Sequence, residues 1–259
     1  MKPGAGPAVL GGEQVEGHHA VHELLRARRR HTRRLWVADG LASRGPVREI
    51  VDLARREGVP IQLRSAEALS AAAKTGAPQG VMAWAEPVAA VALEEVLRGA
   101  PDGPSPFILV LDGVTDPGNF GSILRSAACA GVAAVVIGQH RSAPLTAAAV
   151  KAAAGAVEVV PIVQVPGIPT AIQALTGAGV WVVGLDPAGA EDLWRSPLLD
   201  GPVGIVLGSE GKGLSRLAGQ RCDTLARIPQ NGALGSLNVA AAAAVACFEV
   251  ARRRSLALR

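Results

Sequence analysis

LDGVTDPGNFGSILRSAACAGV, residues 111–132, decides the reading of this chain. It gives the end of an apolar strand, a polar loop and then a helix that the spacing predicts from about residue 119. Two Asp, a Thr and an Asn crowd a single turn, and glycines mark both ends of the loop. Either the backbone there bends tightly or it comes close to a ligand. Asn119 is of a type that caps helices, and capping alone would account for it. Arg125 is harder to explain by packing, because its helical neighbours Ile123, Leu124, Ala127 and Ala128 are apolar. A lone Arg in that setting either snorkels to water or faces an anion.

Four more short, β-branched, nearly all-apolar runs follow: VAAVVIG (132–138), VEVVPIV (157–163), VWVVGLD (180–186) and VGIVLG (203–208). Together with FILVLD (107–112), they read as the strands of a parallel sheet covered by helices on both faces. An Ala-rich helix is predicted through 145–154. The last element, SLNVAAAAAVACFEVARRR (236–254), reads as a Ser-started helix closed by cations suited to its C-terminal dipole. Its small residues would allow another helix to approach closely.

Two further loops follow strands directly. VLGSEGKGLS (206–215) is glycine-rich, but Leu214 stands where a phosphate-binding Walker motif needs Lys. The dinucleotide fingerprint fails as well, because Arg216 follows Gly211 and Gly213 at the third glycine position. A nicotinamide dehydrogenase is therefore disfavoured. Glu210 would repel phosphate, so a ligand without phosphates, such as a cationic one, fits better. The third loop, IPQNGALGSLNV (228–239), carries Ser236 and Asn238 to a helix start, where an ordinary Ser cap would suffice. Ligands of open α/β sheets bind at the carboxyl ends of strands, so one shared site is expected from position.

Upstream, residues 17–30 read as a helix, RLWVAD and VPIQLR as strands, PVREIVDLARREG and SAEALSAAAKTG as helices, and QGVMAWAEP as a closing strand. The sequence thus divides into a small α/β domain over 1–90, a linker over 91–105 ending in Pro, Gly, Asp and Ser, and a larger domain over 106–259. The net charge is +4, and all of the surplus lies in residues 1–90, with 13 Lys or Arg against 9 Asp or Glu. Much of it is in LLRARRRHTRRLW (24–36), and 22 of the 26 basic residues of the whole chain are Arg. That composition suits a phosphate backbone.

Apolar residues make up 49% of the 259, so a large core is expected. No run approaches the roughly 20 apolar residues that span a bilayer. No h-region follows Met1, and the three cysteines (129, 222 and 247) are scattered. These features predict a cytoplasmic protein with reduced, buried thiols, no membrane anchor and no metal site.

Taken in order, the three loops resemble the signature motifs of the SpoU family of RNA 2′-O-ribose methyltransferases, in the SPOUT superfamily. Motif 1 matches DPGNFGSILRSA (116–127), motif 2 LGSEGKG (207–213), and motif 3 IPQNGALGSLNV with a later acidic residue, Glu249. Gln230 and Gly235 depart from the residues common in motif 3. LDGVTDPGN and GHHAVHELL (17–25) resemble the branch that methylates a guanosine ribose in 23S ribosomal RNA. The resemblance implies an α/β fold with a deep trefoil-knotted SPOUT domain on a mostly parallel sheet. It also implies a small N-terminal α/β RNA-binding domain like a ribosomal protein, and a homodimer formed through the knotted domain. The implied cofactor is S-adenosyl-L-methionine, held by Gly184, Leu185, Leu207, Gly208, Gly211, Ile228, Pro229, Ser236 and Leu237, and the implied partner is RNA, ribosomal in this branch. The implied catalytic residues are Arg125, Asn119, Glu210, Ser236 and Asn238.

In the family the motif 1 Arg is sometimes given the role of general base. A guanidinium pKa above about 12 argues instead for a fixed cation that grips the adjacent phosphate and lowers the hydroxyl pKa. Arg125 could serve its own subunit's site or its partner's. Two other readings stay open: a tRNA or antibiotic-resistance rRNA 2′-O-methyltransferase, and a non-catalytic RNA-binding relative.

Overall fold

Short, nearly all-apolar strands must be sandwiched between helices, and five of them lie side by side here, flanked at one edge by the more polar strands Thr224–Arg227 and Glu191–Asp192. The structure is a computed structural model that describes residues 8–99, 105–232 and 235–257. In chain order the strands are β1 (Val9–Gly11), β2 (Gln14–Glu16), β3 (Thr32–Ala38), β4 (Ile61–Arg64), β5 (Val81–Ala85), β6 (Val88–Ala89), β7 (Phe107–Asp112), β8 (Ala134–Gly138), β9 (Ile162–Val165), β10 (Trp181–Leu185), β11 (Glu191–Asp192), β12 (Val203–Gly208) and β13 (Thr224–Arg227). The helices are α1 (His18–Ala27), α2 (Gly45–Arg56), α3 (Ala66–Ala72), α4 (Leu93–Arg98), α5 (Pro117–Cys129), α6 (Ala147–Ala153), α7 (Ile168–Gly177), α8 (Arg216–Arg221) and α9 (Val239–Ala257).

The large sheet runs β11-β13-β10-β12-β7-β8-β9, and every neighbouring pair is parallel. Alternation along β7 divides the core between the two faces. Phe107, Leu109 and Leu111 pack with the buried residues of α5, α6 and α9, whereas Ile108 and Val110 pack with those of α7 and α8. Full burial of such a side chain contributes about 1.5–3 kcal/mol. The strand order reverses at β7 and β12, and such a switch point is where open sheets form a ligand crevice. Gly121, expected to serve the turn, lies inside α5. A Cβ there would meet Ala152 at 2.6 Å, so the glycine lets α5 and α6 touch.

The N-terminal sheet runs β2-β5-β3-β4, with β5 antiparallel to β2 and β3, and β3 parallel to β4. The strand expected to close the unit, β5, is therefore internal. On one face Leu35 and Val37 meet α1 and α2; on the other, Leu69 of α3 packs with Ala38 and Met82. One continuous apolar cluster joins this unit to the large sheet. Polar contacts join them as well, and the Arg30–Glu158 pair is buried. Arg30 Nη2 lies 2.5 Å from the Glu158 carboxylate, and Arg30 Nη1 donates to the carbonyls of Gly12 and Glu86. Lys151 donates to Thr75 Oγ1 at 3.0 Å.

Several sequence expectations change. The first half of VEVVPIV is a 3-10 turn, Ala156–Glu158; Gly155 bends the chain and Pro161 delays the strand to Ile162. The strands β1 and β2 had no alternation long enough to read. Of the stretch expected as a linker, Val91 bridges to Val163 and α4 buries Leu93, while residues 100–104 lie outside the described residues. The thiols are not uniformly buried. Cys247 is buried and Cys222 half-buried, both pushed up to about 12 chiefly by burial, but Cys129 is exposed. Among the described residues no helix is long and apolar enough to cross a membrane.

Candidate active site at the strand ends

Asp116, not Asn119, caps α5: its carboxylate accepts from the Asn119 amide at 2.7 Å, and Pro117 starts the helix. The Asn119 side chain is thereby free to leave its own helix, and its Nδ2 donates to Glu210 Oε1 at 3.0 Å. A similar correction applies to the last helix, where Asn238 replaces Ser236 as the cap. Asn238 Oδ1 accepts from the amides of Ala240 and Ala241, while its Nδ2 donates to Glu210 Oε1 at 2.7 Å and to Asn119 Oδ1 at 3.1 Å. One residue from each loop thus meets in a closed hydrogen-bonded triangle. Two neutral amides donate hydrogen bonds to the Glu210 carboxylate, and among the described residues no cation pairs with it.

The loop carrying Glu210 is built on glycine. Ser209 and Gly213 exchange both backbone hydrogen bonds, at 3.0 and 2.9 Å, folding the loop back over Gly208. A Cβ on Gly208 would overlap the Gly213 carbonyl. Asp112, buried at the end of β7, accepts from the Ser215 amide at 2.7 Å and fixes the far end of the same loop. A third wall, residues 186–189, is held by Arg227, which pairs with Asp192 at 2.7 Å and donates to the Gly189 carbonyl.

Between these walls lies a cleft of about 550 Å³, within the range of roughly 300–1,000 Å³ typical of small-molecule sites. Of the expected cofactor residues, Leu185, Leu207, Gly208, Gly211, Ile228, Ser236 and Leu237 line it. Gly184 and Pro229 do not. The position where a Gly184 Cβ would sit is crowded by Leu225 and Leu214 at 2.7 and 2.8 Å, so that glycine serves packing beneath the strand. Of the expected catalytic residues, Glu210, Ser236 and Asn238 line the cleft, and Asn119 reaches it through Glu210 and Asn238. Asp186, Lys212 and Gln230 also line it. Sequence reasoning missed the first two as site residues, although each lies beside a residue it named.

Arg125 is not brought to this cleft. Six residues beyond Asn119, it points about 120° around the helix, on an exposed stripe with Ser122 and Cys129. It has no hydrogen-bond or ion-pair partner among the described residues. Glu249 is also elsewhere. It is buried in α9 and held by Arg252 and Arg253, whose hydrogen bonds keep its carboxyl below the usual range.

The donor set suits a cationic nucleoside. Leu207, Ile228, Leu237 and Val239 offer apolar surface, the loops offer backbone amides and carbonyls, and Glu210 and Asp186 offer negative charge. No group of three or more His, Cys, Asp or Glu that could hold a metal occurs among the described residues.

Comparison with known proteins agrees with this geometry. The SpoU rRNA Methylase family model matches residues 106–248, and the model for RNA 2′-O ribose methyltransferase substrate binding matches residues 14–90. The chain is 40% identical over 250 residues to the 23S rRNA (guanosine-2′-O-)-methyltransferase RlmB of Pseudomonas aeruginosa, covering 94% of this chain and 97% of that protein. It is 39% identical to RlmB of Vibrio cholerae, covering 95% and 98%. Among solved structures, it superposes on the SpoU methyltransferase AviRb from Streptomyces viridochromogenes in complex with AdoMet. That match has a TM-score of 0.76 at 25% identity and covers 93% of this chain and 90% of that one. An AdoMet-bound rRNA methyltransferase from Sinorhizobium meliloti gives 0.75 at 26%, covering 92% and 86%. By its motifs, its cleft and these matches, the chain belongs to the SpoU rRNA methylase family.

Proposed function

We propose that this chain transfers a methyl group from S-adenosyl-L-methionine to the 2′-hydroxyl of an RNA ribose, and that its target is a guanosine in 23S ribosomal RNA. The observation that carries the reading is the Asn119–Glu210–Asn238 triangle, which joins three separate loops at the rim of one cleft. Packing alone would not select three polar side chains to meet at exposed strand ends. When bound, the cofactor supplies an electrophilic methyl group on a sulfonium.

The chain supplies the rest. Leu207, Ile228 and Leu237 clasp the apolar part of the cofactor, and Glu210 favours its positive charge. Ser236, Asn119 and Asn238 orient the loops and the incoming ribose. Arg125 grips the phosphate next to the reacting ribose, and its fixed charge stabilises the alkoxide character that the O2′ oxygen gains as its proton leaves to water. Because Arg125 stands on an outward stripe of α5, we assign it to the cleft of a second copy, in a homodimer. Phe248 on α9, 52% exposed, supports such a contact. The division at 1–90, 91–105 and 106–259, the threading of the cleft loops as a deep trefoil knot, and a cytoplasmic site of action with no membrane or metal partner belong to the same reading.

The test is to incubate the protein with S-adenosylmethionine and undermethylated 23S rRNA and to analyse the digested nucleosides by mass. 2′-O-methylguanosine is expected. A different methylated nucleoside, or methylation of tRNA alone, would replace the target; no transfer to any RNA would leave a binding protein.

A further inference from the structure

The basic run that suggested RNA contact is largely consumed by the fold. Arg26 pairs with Glu23 and Arg28 with Glu57, Arg29 donates to the Val159 carbonyl, and Arg30 is buried against Glu158. Arg33 and Arg34, at its end, have no ion-pair partner among the described residues. Arg34 lies on the face of the N-terminal sheet away from α1 and α2, and that face is unusual in composition.

The chain has four tryptophans, and two of them, Trp36 and Trp84, meet here edge to face at 4.8 Å. The Arg34 guanidinium lies 4.4 Å from the Trp84 ring centre and 5.6 Å from that of Trp36, and Arg64 lies 5.0 Å from Trp36. Three cation–π contacts share one patch, where such contacts average roughly one per 70–80 residues. Register explains the cluster. Arg34 is directly opposite Trp84, and Trp36 pairs with Gln62, so side chains from β3, β4 and β5 point the same way. Helix α3 covers the neighbouring part of this face through Leu69 but leaves Arg34, Gln62 and Arg64 exposed. No carboxylate pairs with Arg34 or Arg64 among the described residues, and the only described hydrogen bond between these polar groups is Arg64 to Gln62, at 2.8 Å.

We infer that this face is a stacking platform for unpaired bases of the RNA substrate, a reading that rests on the chain being an RNA methyltransferase. A guanidinium placed over an indole leaves its outer side to a base, and its unused N–H groups to phosphate or to a base edge. Stacking of this kind is tolerant of sequence and needs single-stranded nucleotides. The substrate feature recognised here is therefore a loop or bulge near the target, not a duplex. Trp36 and Trp84 are the platform, Arg34 and Arg64 its upper layer, and Gln62 a hydrogen-bonding edge.

Indole fluorescence is the direct readout. In the full chain carrying Trp181→Phe and Trp194→Phe, both exposed positions away from this face, only Trp36 and Trp84 report. Titration with a single-stranded oligoadenylate of about eight nucleotides is expected to quench this signal saturably. Adding Arg34→Gln and Arg64→Gln should weaken the oligonucleotide about tenfold, raise the KM for an rRNA fragment by a similar factor, and leave the affinity for S-adenosylmethionine unchanged. No quenching, equal quenching by a blunt RNA duplex, or quenching undiminished in the double variant would overturn the platform. Methyl transfer that continues with an unchanged RNA KM would overturn it while leaving the enzyme reading intact. Failure of the wild-type chain to transfer any methyl group would strike the enzyme reading instead, and the quenching titration would still decide whether the patch stacks bases.

Discussion

The two sheets present polar chemistry in opposite ways. In the seven-stranded sheet, β7, β8 and β12 are buried almost throughout, and the polar side chains Asn119, Glu210 and Asn238 meet in the loops at the carboxyl ends. In the four-stranded sheet the strands themselves carry it, as Arg34, Trp36, Gln62, Arg64 and Trp84 on one face. The difference follows from coverage. A parallel sheet with helices on both faces can offer only its ends, whereas a mixed sheet with one face partly open can offer that face. A pocket at strand ends suits a small cofactor, and an open sheet face suits an extended polymer.

The largest effect is expected at the junction of the two units. Glu158 and Arg30 have side chains only 2% and 7% exposed, so Glu158→Gln strands a buried guanidinium. The expected loss is about 3–5 kcal/mol in denaturant unfolding, with the N-terminal unit loosened first. A loss below about 1 kcal/mol would mean that the units are held by apolar contact alone.

The next largest effects are expected at the strand ends. Arg125→Ala should lower the turnover number about a hundred- to thousandfold, or about 2.7–4 kcal/mol in barrier, without changing cofactor affinity. Arg125→Lys should recover little, because one ammonium cannot replace a bidentate grip. Mixing Arg125→Ala with Leu237→Arg protein should restore part of the activity if Arg125 serves a second copy's cleft, and none if it serves its own. Asn238→Ala removes the α9 cap and one corner of the triangle. It should cost about 1 kcal/mol of stability, with a larger proportional loss in turnover.

The smallest effect expected is electrostatic. Arg252 and then Arg253 hold the Glu249 carboxyl below its usual value. A depressed folded-state pKa gives stability that is complete well above the unfolded value of about 4.3 and is lost as pH falls through the depressed value. Glu249→Gln should therefore flatten the acid side of the melting profile below about pH 5, by a few tenths of a kcal/mol at neutral pH. An unchanged acid limb would show that the pair contributes nothing measurable.

Legibility in the sequence follows the same division between ends and faces. Five strands of the large sheet, β7, β8, β9, β10 and β12, were legible because apolar β-branched runs have few other uses, and the first two loops were legible because each follows such a run; β11 and β13, Glu191–Asp192 and Thr224–Arg227, are too short and polar to be read that way. What the sequence hid was the choice between neighbouring cap residues. Asp116 and Asn119 are both good caps, as are Ser236 and Asn238, and only tertiary hydrogen bonds decide which is released for the site. Gly184 is ambiguous for a related reason, since a glycine at a strand end can serve either a ligand or a crowded floor. The N-terminal platform was hidden more deeply. Its residues come from β3, β4 and β5, and RLWVAD alone gives no sign that its Arg and Trp meet another Trp some 50 positions later. The orientation of Arg125 was also hidden, because only the fold shows that its stripe of α5 is exposed and turned away from the cleft.

Calorimetric titration of the purified protein with S-adenosyl-L-methionine, beside the Leu237→Arg variant, tests whether the cleft holds the cofactor. Leu237 lines the cleft and is 42% exposed, so the substitution fills the cleft while leaving the core intact. One site per chain is expected in the wild type, with no measurable binding in the variant. Equal binding in both proteins would place the cofactor outside this cleft.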